Sequence, residues 1–351
     1  MTKRKSILIK NVYYMLSYAF TILGQGDYEE IATENFENIH NLFAAILSKG
    51  INRQLKQGLY REYLNHNEDV VVARGKINVS GTIRNKLARK HMLNCEYDEL
   101  SENNLMNQVL KTAVVLLLRH EKVNAEYKNE LKKEMLFFSN IGTVDPSGIR
   151  WANIRFQRNN STYRMLIGLC WLIFNGTLLT TDSGEYRLAT FLNEQSMSRL
   201  YEKFILEYYK NEHKELRVSS SQIPWNLDND KNNMLPIMQS DIMLNSNDKT
   251  LIIDAKYYKT STQSRYGTTT IRSAHLYQIY SYVKNYDKDR TGNVSGMLLY
   301  AKTDEETPPS GIYGMDGNKI MVRTLDLNCD FAEIRRQLDD IATIVTGVSC
   351  A

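Results

Sequence analysis

Paired cysteines and clustered histidines are missing from this sequence. Its 351 residues include four cysteines, Cys95, Cys170, Cys329 and Cys350, which form no Cys-x-x-Cys pair, and its six histidines are equally dispersed. Structural zinc sites and disulfide frameworks both need such residues at close, regular spacing. The pattern argues against both kinds of site, and we expect the protein to work in a reducing compartment, the cytoplasm.

Long apolar runs are also missing. The longest, residues 165–174, is about half of the roughly 20 residues that a membrane-spanning helix needs, so we interpret it as a buried helix. The basic residues 1–6 precede an apolar stretch that Lys10 and Asn11 interrupt, which is not typical of a signal peptide. We expect neither secretion nor a membrane role.

The sequence has little excess charge of one sign and no phosphate-binding glycine loop. The formal net charge is +4 at pH 7, below what we expect of a protein whose sole task is tight, sequence-independent DNA binding. No Gly-x-x-x-x-Gly-Lys-Ser/Thr segment occurs, so the chain has no evident nucleotide site of its own. A partner that supplies DNA affinity would fit this composition.

The length suits two domains. A long charged helical pattern at 107–136 is followed by the turn signal Asp145-Pro146-Ser147-Gly148 and by the polar residues 155–161. We therefore predict domains at 1–158 and 159–351. In the first domain we predict helices at 11–23 and 37–56, a strand at 70–77 and a basic helix through 84–90. The aromatic residues of the first helix are predicted to be core, with a surface for a partner as the alternative.

Two apolar, strand-like runs each carry one carboxylate. The first contains Asp241, and the second contains Asp254 with Lys256 two residues later. The polar insert 245–249 is typical of a turn, so the runs should pair as an antiparallel hairpin that brings Asp241 close to Asp254. Because side chains alternate along a strand, Asp254 and Lys256 should share a face.

Carboxylates that lie close together in apolar strands need a cation between them. Mg²⁺ is the natural choice, with Mn²⁺ as a substitute, since Mg²⁺ is commonly held by one or two carboxylates and a substrate phosphate. A neighbouring lysine can orient the attacking water and stabilise the charge that grows on the phosphate. The pattern therefore indicates metal-dependent phosphodiester hydrolysis.

An isolated acidic-x-Lys triplet is weak evidence for such a site. Glu126-Tyr127-Lys128, Glu130-Leu131-Lys132 and Glu212-His213-Lys214 lie in charged helical patterns, which we interpret as solvated faces. Asp254-Ala255-Lys256 alone could equally be the solvent side of an edge strand. The elements predicted around the hairpin favour a site. A helical stripe through 200–208, with Glu202 on its flank, precedes the hairpin, and a helix at 274–286 follows it. Strands at 294–301 and 319–325 and a helix at 330–345 come next.

These residues resemble the PD-(D/E)xK restriction-endonuclease-like nucleases, and Gln278 with Tyr282 is similar to the Q-x-x-x-Y element of the RecB-like branch. The resemblance narrows to the McrC family on the following segments: residues 10–19, Arg74-Gly75-Lys76-Ile77, residues 95–107 and residues 254–259. It implies an α/β (α+β) fold with a helical and mixed N-terminal domain and a C-terminal nuclease core, in which helices flank a mixed sheet. Ser240 stands where the superfamily name has proline, which puts little in doubt.

The resemblance also implies roles. Asp241 and Asp254 would ligate the metal and Lys256 would orient water, whereas Glu202 is a metal ligand, an outer-shell group or only a surface charge. Gln278 and Tyr282 would support the site or contact DNA. The implied partner is a McrB-type AAA+ ring that binds and hydrolyses GTP and recognises DNA containing modified cytosine; one nuclease subunit would sit on each ring, and complexes would pair for double-strand cleavage.

Further candidates surround these motifs. Tyr257, Lys259, Arg265 and Arg272 are candidates for positioning DNA phosphates, and residues 260–273 are predicted to form a loop. Arg74 and Lys76 are candidates for activating the partner's GTPase, with a solvated basic loop as the alternative. Two other functions stay open: a catalytically silent regulator of that GTPase, and a stand-alone RecB-like DNA-repair nuclease.

Overall fold

A computed structural model of the chain describes residues 9–20, 23, 31, 34, 36–156, 160–177, 194–228, 234–247, 249–257, 262–265, 268–302 and 308–347. The chain forms two compact units. The discontinuous unit comprises Met1–Ile39 with Thr190–Ala351, and the continuous unit comprises His40–Ala189. This division differs from the predicted one at residue 158, because the first helix groups with the C-terminal half of the chain.

The continuous unit combines helices with a small antiparallel sheet. Its elements are α2 (Ile39–Gln57), β1 (Glu62–Val70), β2 (Lys76–Ile77), α3 (Val79–Leu87), β3 (Leu93–Ser101), α4 (Leu105–Arg119), α5 (Ala125–Met135) and α6 (Ser161–Thr177). The strands are ordered β1-β3-β2. The predicted buried helix at 165–174 is confirmed as part of α6, whose Leu166, Cys170 and Ile173 are fully buried.

Two predictions for this unit are wrong. The strand predicted at 70–77 is a loop over most of its length, because β1 ends where Val70 pairs with Leu93 and the exposed Val71 and Val72 follow. The single helix predicted at 107–136 is two helices, α4 and α5, with the break at residues 120–124. A helical sequence pattern does not reveal such a break when no proline or glycine marks it.

The discontinuous unit contains a six-stranded mixed sheet. Its elements are α1 (Ile9–Ala19), α7 (Glu194–Glu212), β4 (Arg217–Ser219), β5 (Gln222–Ile223), β6 (Met238–Gln239), β7 (Ile242–Ser246), β8 (Lys249–Lys256), β9 (Thr262–Arg265), β10 (Thr268–Ile271), α8 (Ser273–Tyr286), β11 (Val294–Ala301), β12 (Gly311–Met315), β13 (Asn318–Leu325) and α9 (Phe331–Thr346). The order in the sheet is β12-β13-β11-β8-β7-β4. β11 runs parallel to both β8 and β13, and the other pairs are antiparallel.

The predicted mixed α/β fold class is confirmed, with helices packed on the sheet. Ile279 and Val283 of α8 pack in one apolar cluster with Ile252 of β8 and Leu298 of β11. Helices α7 and α9 contact each other, since the Tyr209 hydroxyl donates to the Leu338 carbonyl at 2.9 Å. The last residue of β8 lies within hydrogen-bond distance of the second turn of α8.

Helix α1 packs within the discontinuous unit. Asn11 Nδ2 donates to the carbonyls of Leu327 and Cys329, each at 2.8 Å, and the Tyr14 ring stacks on Phe331 with centroids 4.2 Å apart. Leu16 is fully buried. The interpretation of this aromatic helix as core is therefore confirmed, but it is the core of the C-terminal half.

Cys95, Cys170 and Cys329 are free thiols. Within the described ranges, no helix combines the length and apolar character needed to cross a membrane.

Candidate active site

A pair of carboxylates lies where β7 begins and β8 ends. Ile242 of β7 pairs with Ile253 of β8 in the antiparallel register, so the preceding Asp241 lies beside Asp254. Asp241 Oδ2 accepts a hydrogen bond of 2.8 Å from the Ala255 amide, which fixes this side chain against β8. The predicted hairpin is confirmed, although its strands extend to Ser246 and Lys249 and leave a shorter turn than predicted.

Lys256 shares the face of Asp254, as the alternation predicted. Its Nζ lies 2.9 Å from Asp254 Oδ2 and donates to Gln278 Oε1 at 3.2 Å. Gln278 Nε2 in turn donates to the Tyr282 hydroxyl at 2.8 Å. The structure thus brings Asp241, Asp254, Lys256, Gln278 and Tyr282 into one connected cluster.

Burial sets the electrostatics of the pair. Asp254 is only 1% exposed, and its burial raises its pKa to about 7; the Lys256 ammonium opposes this rise and the nearby Asp241 adds to it. Burial also raises the pKa of Asp241, again against the effect of Lys256. Two carboxylates in this position are therefore costly to ionise without a further cation.

The donor set fits a hard divalent cation. Apart from the ion pair with Lys256, neither oxygen of Asp254 has a hydrogen-bond partner in the described part of the chain. Buried oxygens without a partner are uncommon, and carboxylate oxygens are the ligands that Mg²⁺ prefers. No group of three or more His, Cys, Asp or Glu side chains that could hold a metal occurs among the described residues, so the pair would share the ion with water and substrate.

Glu202 lies on α7 near this cluster. Its carboxylate accepts a hydrogen bond of 3.0 Å from the Ser198 hydroxyl. Burial raises the pKa of Glu202, and the negative charge of Asp241 adds to the rise. The side chain is therefore within electrostatic reach of Asp241, and its direct ligation of a metal stays a prediction.

A second buried pair, His275 and Tyr300, adjoins the cluster and was not predicted. Tyr300 of β11 is the register partner of Lys256, and its hydroxyl lies 2.8 Å from His275 Nδ1. Burial, together with the charges of Lys256 and Arg272, lowers the pKa of His275 to about 4, so the imidazole is neutral at pH 7. The one local sign of this pair in the sequence is that His275 lies three residues before Gln278 in the same helical pattern. The contact with Tyr300 could not be predicted, because neither strand sequence shows that β8 pairs with β11.

The remaining predicted residues are less well connected. Tyr257 follows β8, with its ring centroid 6.3 Å from that of Tyr201, and Arg272 immediately precedes α8. Arg265 ends β9, but its side chain, like the whole of Lys259, lies outside the described residues. The loop predicted at 260–273 is wrong in part, since β9 and β10 form a hairpin there.

Arg74 and Lys76 lie in the continuous unit. The Arg74 guanidinium stacks over the Tyr97 ring at 4.6 Å and lies 3.7 Å from Glu99 Oε1, while Lys76 begins the exposed strand β2. Gly75 between them has φ +61°, and a Cβ there would lie 2.6 Å from the Glu96 carbonyl oxygen. Only glycine fits this turn, which fixes both cations at its two ends.

Comparison with known proteins gives consistent results. Residues 3–301 match the family model described as McrBC 5-methylcytosine restriction system component. The Type IV methyl-directed restriction enzyme EcoKMcrBC of Escherichia coli strain K12 is 29% identical over 344 residues, which cover 95% of this chain and 97% of that protein. One similar solved structure is the refined half-complex from the tetradecameric assembly of Thermococcus gammatolerans McrB AAA+ hexamers with bound McrC. A chain of that structure is 18% identical with a TM-score of 0.48, and the match covers 95% of this chain and 76% of that chain. A chain of the Thermococcus gammatolerans McrBC complex matches at 21% identity and a TM-score of 0.42 over 58% and 59% of the two chains.

Proposed function

The chain belongs to the family of McrBC 5-methylcytosine restriction system components, and we propose that it is the DNA endonuclease subunit of such a system. It would cleave phosphodiester bonds with Mg²⁺, or with Mn²⁺ as a substitute, when assembled with a McrB-type AAA+ ring that hydrolyses GTP. The observation that carries the proposal is the fully buried Asp254 beside the partly buried Asp241 and Lys256. A protein that only regulated a GTPase would have no use for two costly carboxylates in one apolar hairpin.

Each of these side chains would have its own role in the reaction. Asp241 and Asp254 would hold the metal, which supplies an activated water and polarises the phosphoryl oxygen when bound. Lys256, fixed between Asp254 and Gln278, places an ammonium beside the scissile phosphate, where it stabilises the charge of the transition state. Gln278 is held by Tyr282, so the position of Lys256 depends on α8 as well as on its own strand.

The continuous unit offers a surface for the partner. On α3, Val79, Ile83 and Leu87 recur at every fourth residue and are 66%, 53% and 81% exposed. The polar Asn85 is buried on the opposite side, and Gly81 lies so close to Asn94 of β3 that a Cβ would be 2.5 Å from that side chain. Helix α3 thus presents its apolar face outward, which is typical of a surface that another protein covers.

The assembly proposed from these features has one nuclease subunit on each ring. The GTP would be bound and hydrolysed by the partner, and modified cytosine would be recognised there. One active site cuts one strand, so we propose that two complexes pair for double-strand cleavage. The accumulation of single-strand nicks under conditions where complexes pair would contradict this step.

Replacing Lys256 with alanine tests the proposed chemistry. We expect cleavage of methylated DNA by the complete complex with GTP and Mg²⁺ to fall by about 10²–10³-fold, because a charge that stabilises the transition state is lost. Stimulation of the partner's GTPase should be unchanged. Lys249→Ala, at the exposed start of the same strand, is the matched control. Near-wild-type cleavage by Lys256→Ala would favour the silent regulator, and cleavage without any ring would favour the stand-alone repair nuclease.

Replacing Arg74 or Lys76 with alanine tests the role proposed for the continuous unit. We expect each variant to reduce GTP hydrolysis by the partner ring by about tenfold at saturating subunit, because a cation that complements a phosphate in the transition state is worth more than 1.4 kcal/mol. Lys90→Ala, on the exposed segment after α3, is the control. Unchanged hydrolysis in both variants would leave these residues as an ordinary basic loop.

A further inference from the structure

Four consecutive apolar residues, Met234-Leu235-Pro236-Ile237, are exposed on the discontinuous unit. Met234 is 96% exposed and Ile237 is 74% exposed, while Leu235 and Pro236 are also at the surface. An exposed apolar run of this length is unfavourable in water unless something covers it. We call these four residues the apolar run.

Trp225 and Asn226 connect the apolar run to the sheet and to α8. Trp225 packs against the core cluster of the sheet, and its Nε1 donates to the Pro236 carbonyl at 2.7 Å. The next residue, Asn226, donates its amide to Asn285 Oδ1 of α8 at 2.8 Å. The run therefore has a defined position relative to α8.

The apolar run is joined to the carboxylate pair by a short segment of chain. Ile237 precedes Asp241 by four residues, which span at most about 13 Å of extended chain. Met238 contacts the Ser281 hydroxyl through its sulfur at 3.7 Å, and Ser281 is one helical turn from Tyr277, which is 70% exposed. Ile237 therefore lies within about four base-pair rises, of about 3.4 Å each, of Asp241.

The size and chemistry of the apolar run favour DNA as its occupant. A stable dimer of this chain would need about 800 Å² per partner from some 20–30 residues, far more than four side chains supply. Methionine, leucine, proline and isoleucine are among the residues that proteins insert between base steps from the minor groove. Resting on the proposed function, we propose that the apolar run inserts between base steps beside the scissile phosphate and holds the duplex in register for Asp241, Asp254 and Lys256.

The test uses the double variant Met234→Ser with Ile237→Ser. In the complete complex with the partner ring, GTP and Mg²⁺, we expect its cleavage of methylated duplex DNA to fall by about tenfold or more, since the contact that unstacks a step is lost. GTPase stimulation should be unchanged. The matched control is Leu136→Ser with Phe137→Ser, two consecutive apolar residues that are 74% and 67% exposed in the continuous unit.

Base unstacking is measured separately in a Lys256→Ala background, in which we expect cleavage to be about 10²–10³-fold slower. A 2-aminopurine in the bound duplex should brighten with an intact apolar run and stay quenched with the double serine variant. Equal brightening with the intact run and with the double serine variant would overturn the proposal, whether or not cleavage, or self-association of the complex in sedimentation, changes. If the wild-type complex brightens the probe but never cuts, the proposed function fails and the DNA contact stands; if it does neither, both fail.

Discussion

Asp254→Asn is expected to reduce DNA cleavage by at least about 10³-fold and to leave the metal-free protein at least as stable as the wild type. Asparagine preserves the shape of the side chain but cannot serve as an anionic metal ligand. Asp254 is 1% exposed, and its charge is tolerated only through Lys256 and, when bound, the metal. Because burial raises the pKa of Asp254 even beside Lys256, the ionised form is costly in the folded protein, and removing the charge removes that cost when no metal is present.

The pH dependence of this difference has a definite sign. Burial raises the pKa of Asp254 from 3.8 to about 7, so the folded protein binds the proton more tightly than the unfolded chain does. The wild type should therefore lose stability relative to Asp254→Asn as the pH rises from about 4 to about 7, by a few kcal/mol at most. Urea unfolding in EDTA across this range measures the difference in free energy of unfolding.

Mg²⁺ should reverse the order of stability. A ligand that binds only the folded state stabilises it by about 2.7 kcal/mol at a concentration 100 times its dissociation constant. The wild type should gain this free energy and Asp254→Asn should not, while Asp289→Asn, at an exposed position after α8, should behave as the wild type does. Equal stabilisation of the wild type and Asp254→Asn by Mg²⁺ would remove Asp254 from the proposed metal site.

The carboxylate cluster could be predicted because its signals are local. A polar insert between two apolar runs fixes an antiparallel register, and the alternation along β8 puts Asp254 and Lys256 on one face. Gln278 and Tyr282 are one helical turn apart on α8, so a single amphipathic pattern places both. Each of these inferences spans fewer than about 15 residues of one element pair, where local geometry dominates.

The features that escaped prediction depend on long-range pairing. His275 meets Tyr300 only because β11 lies parallel to β8 with Tyr300 opposite Lys256. The exposed apolar run drew no prediction, because its position depends on the hydrogen bond from Trp225, eleven residues away, to the Pro236 carbonyl. The strand predicted at 70–77 failed for a related reason: valines favour strands, but Val71 and Val72 have no partner strand in the described sheet.

The position of α1 also depends on contacts between residues far apart in the sequence. Disrupting those contacts is expected to have a large effect on stability. Asn11 bonds to carbonyls 316 and 318 residues away, and Leu16 is fully buried in the discontinuous unit. A charge at Leu16 would be buried without a partner in the core that supports α7 and α9. We therefore expect Leu16→Asp to lower the free energy of unfolding of this unit by about 3–5 kcal/mol, while Lys10→Asp, on the exposed side of the same helix, changes it little.

A fragment of residues 190–351 sharpens this test, because it is the C-terminal part of the discontinuous unit and contains the sheet, both carboxylates and Lys256 but lacks α1. We expect it to show no cooperative urea transition, since the faces that Tyr14 and Leu16 cover would be exposed to water. Adding a peptide of residues 1–39 should restore the transition. A fragment that unfolds cooperatively at the wild-type midpoint would show that α1 is dispensable. The expected failure would mean that neither part of the discontinuous unit is stable until the chain has been made through the continuous unit that separates them.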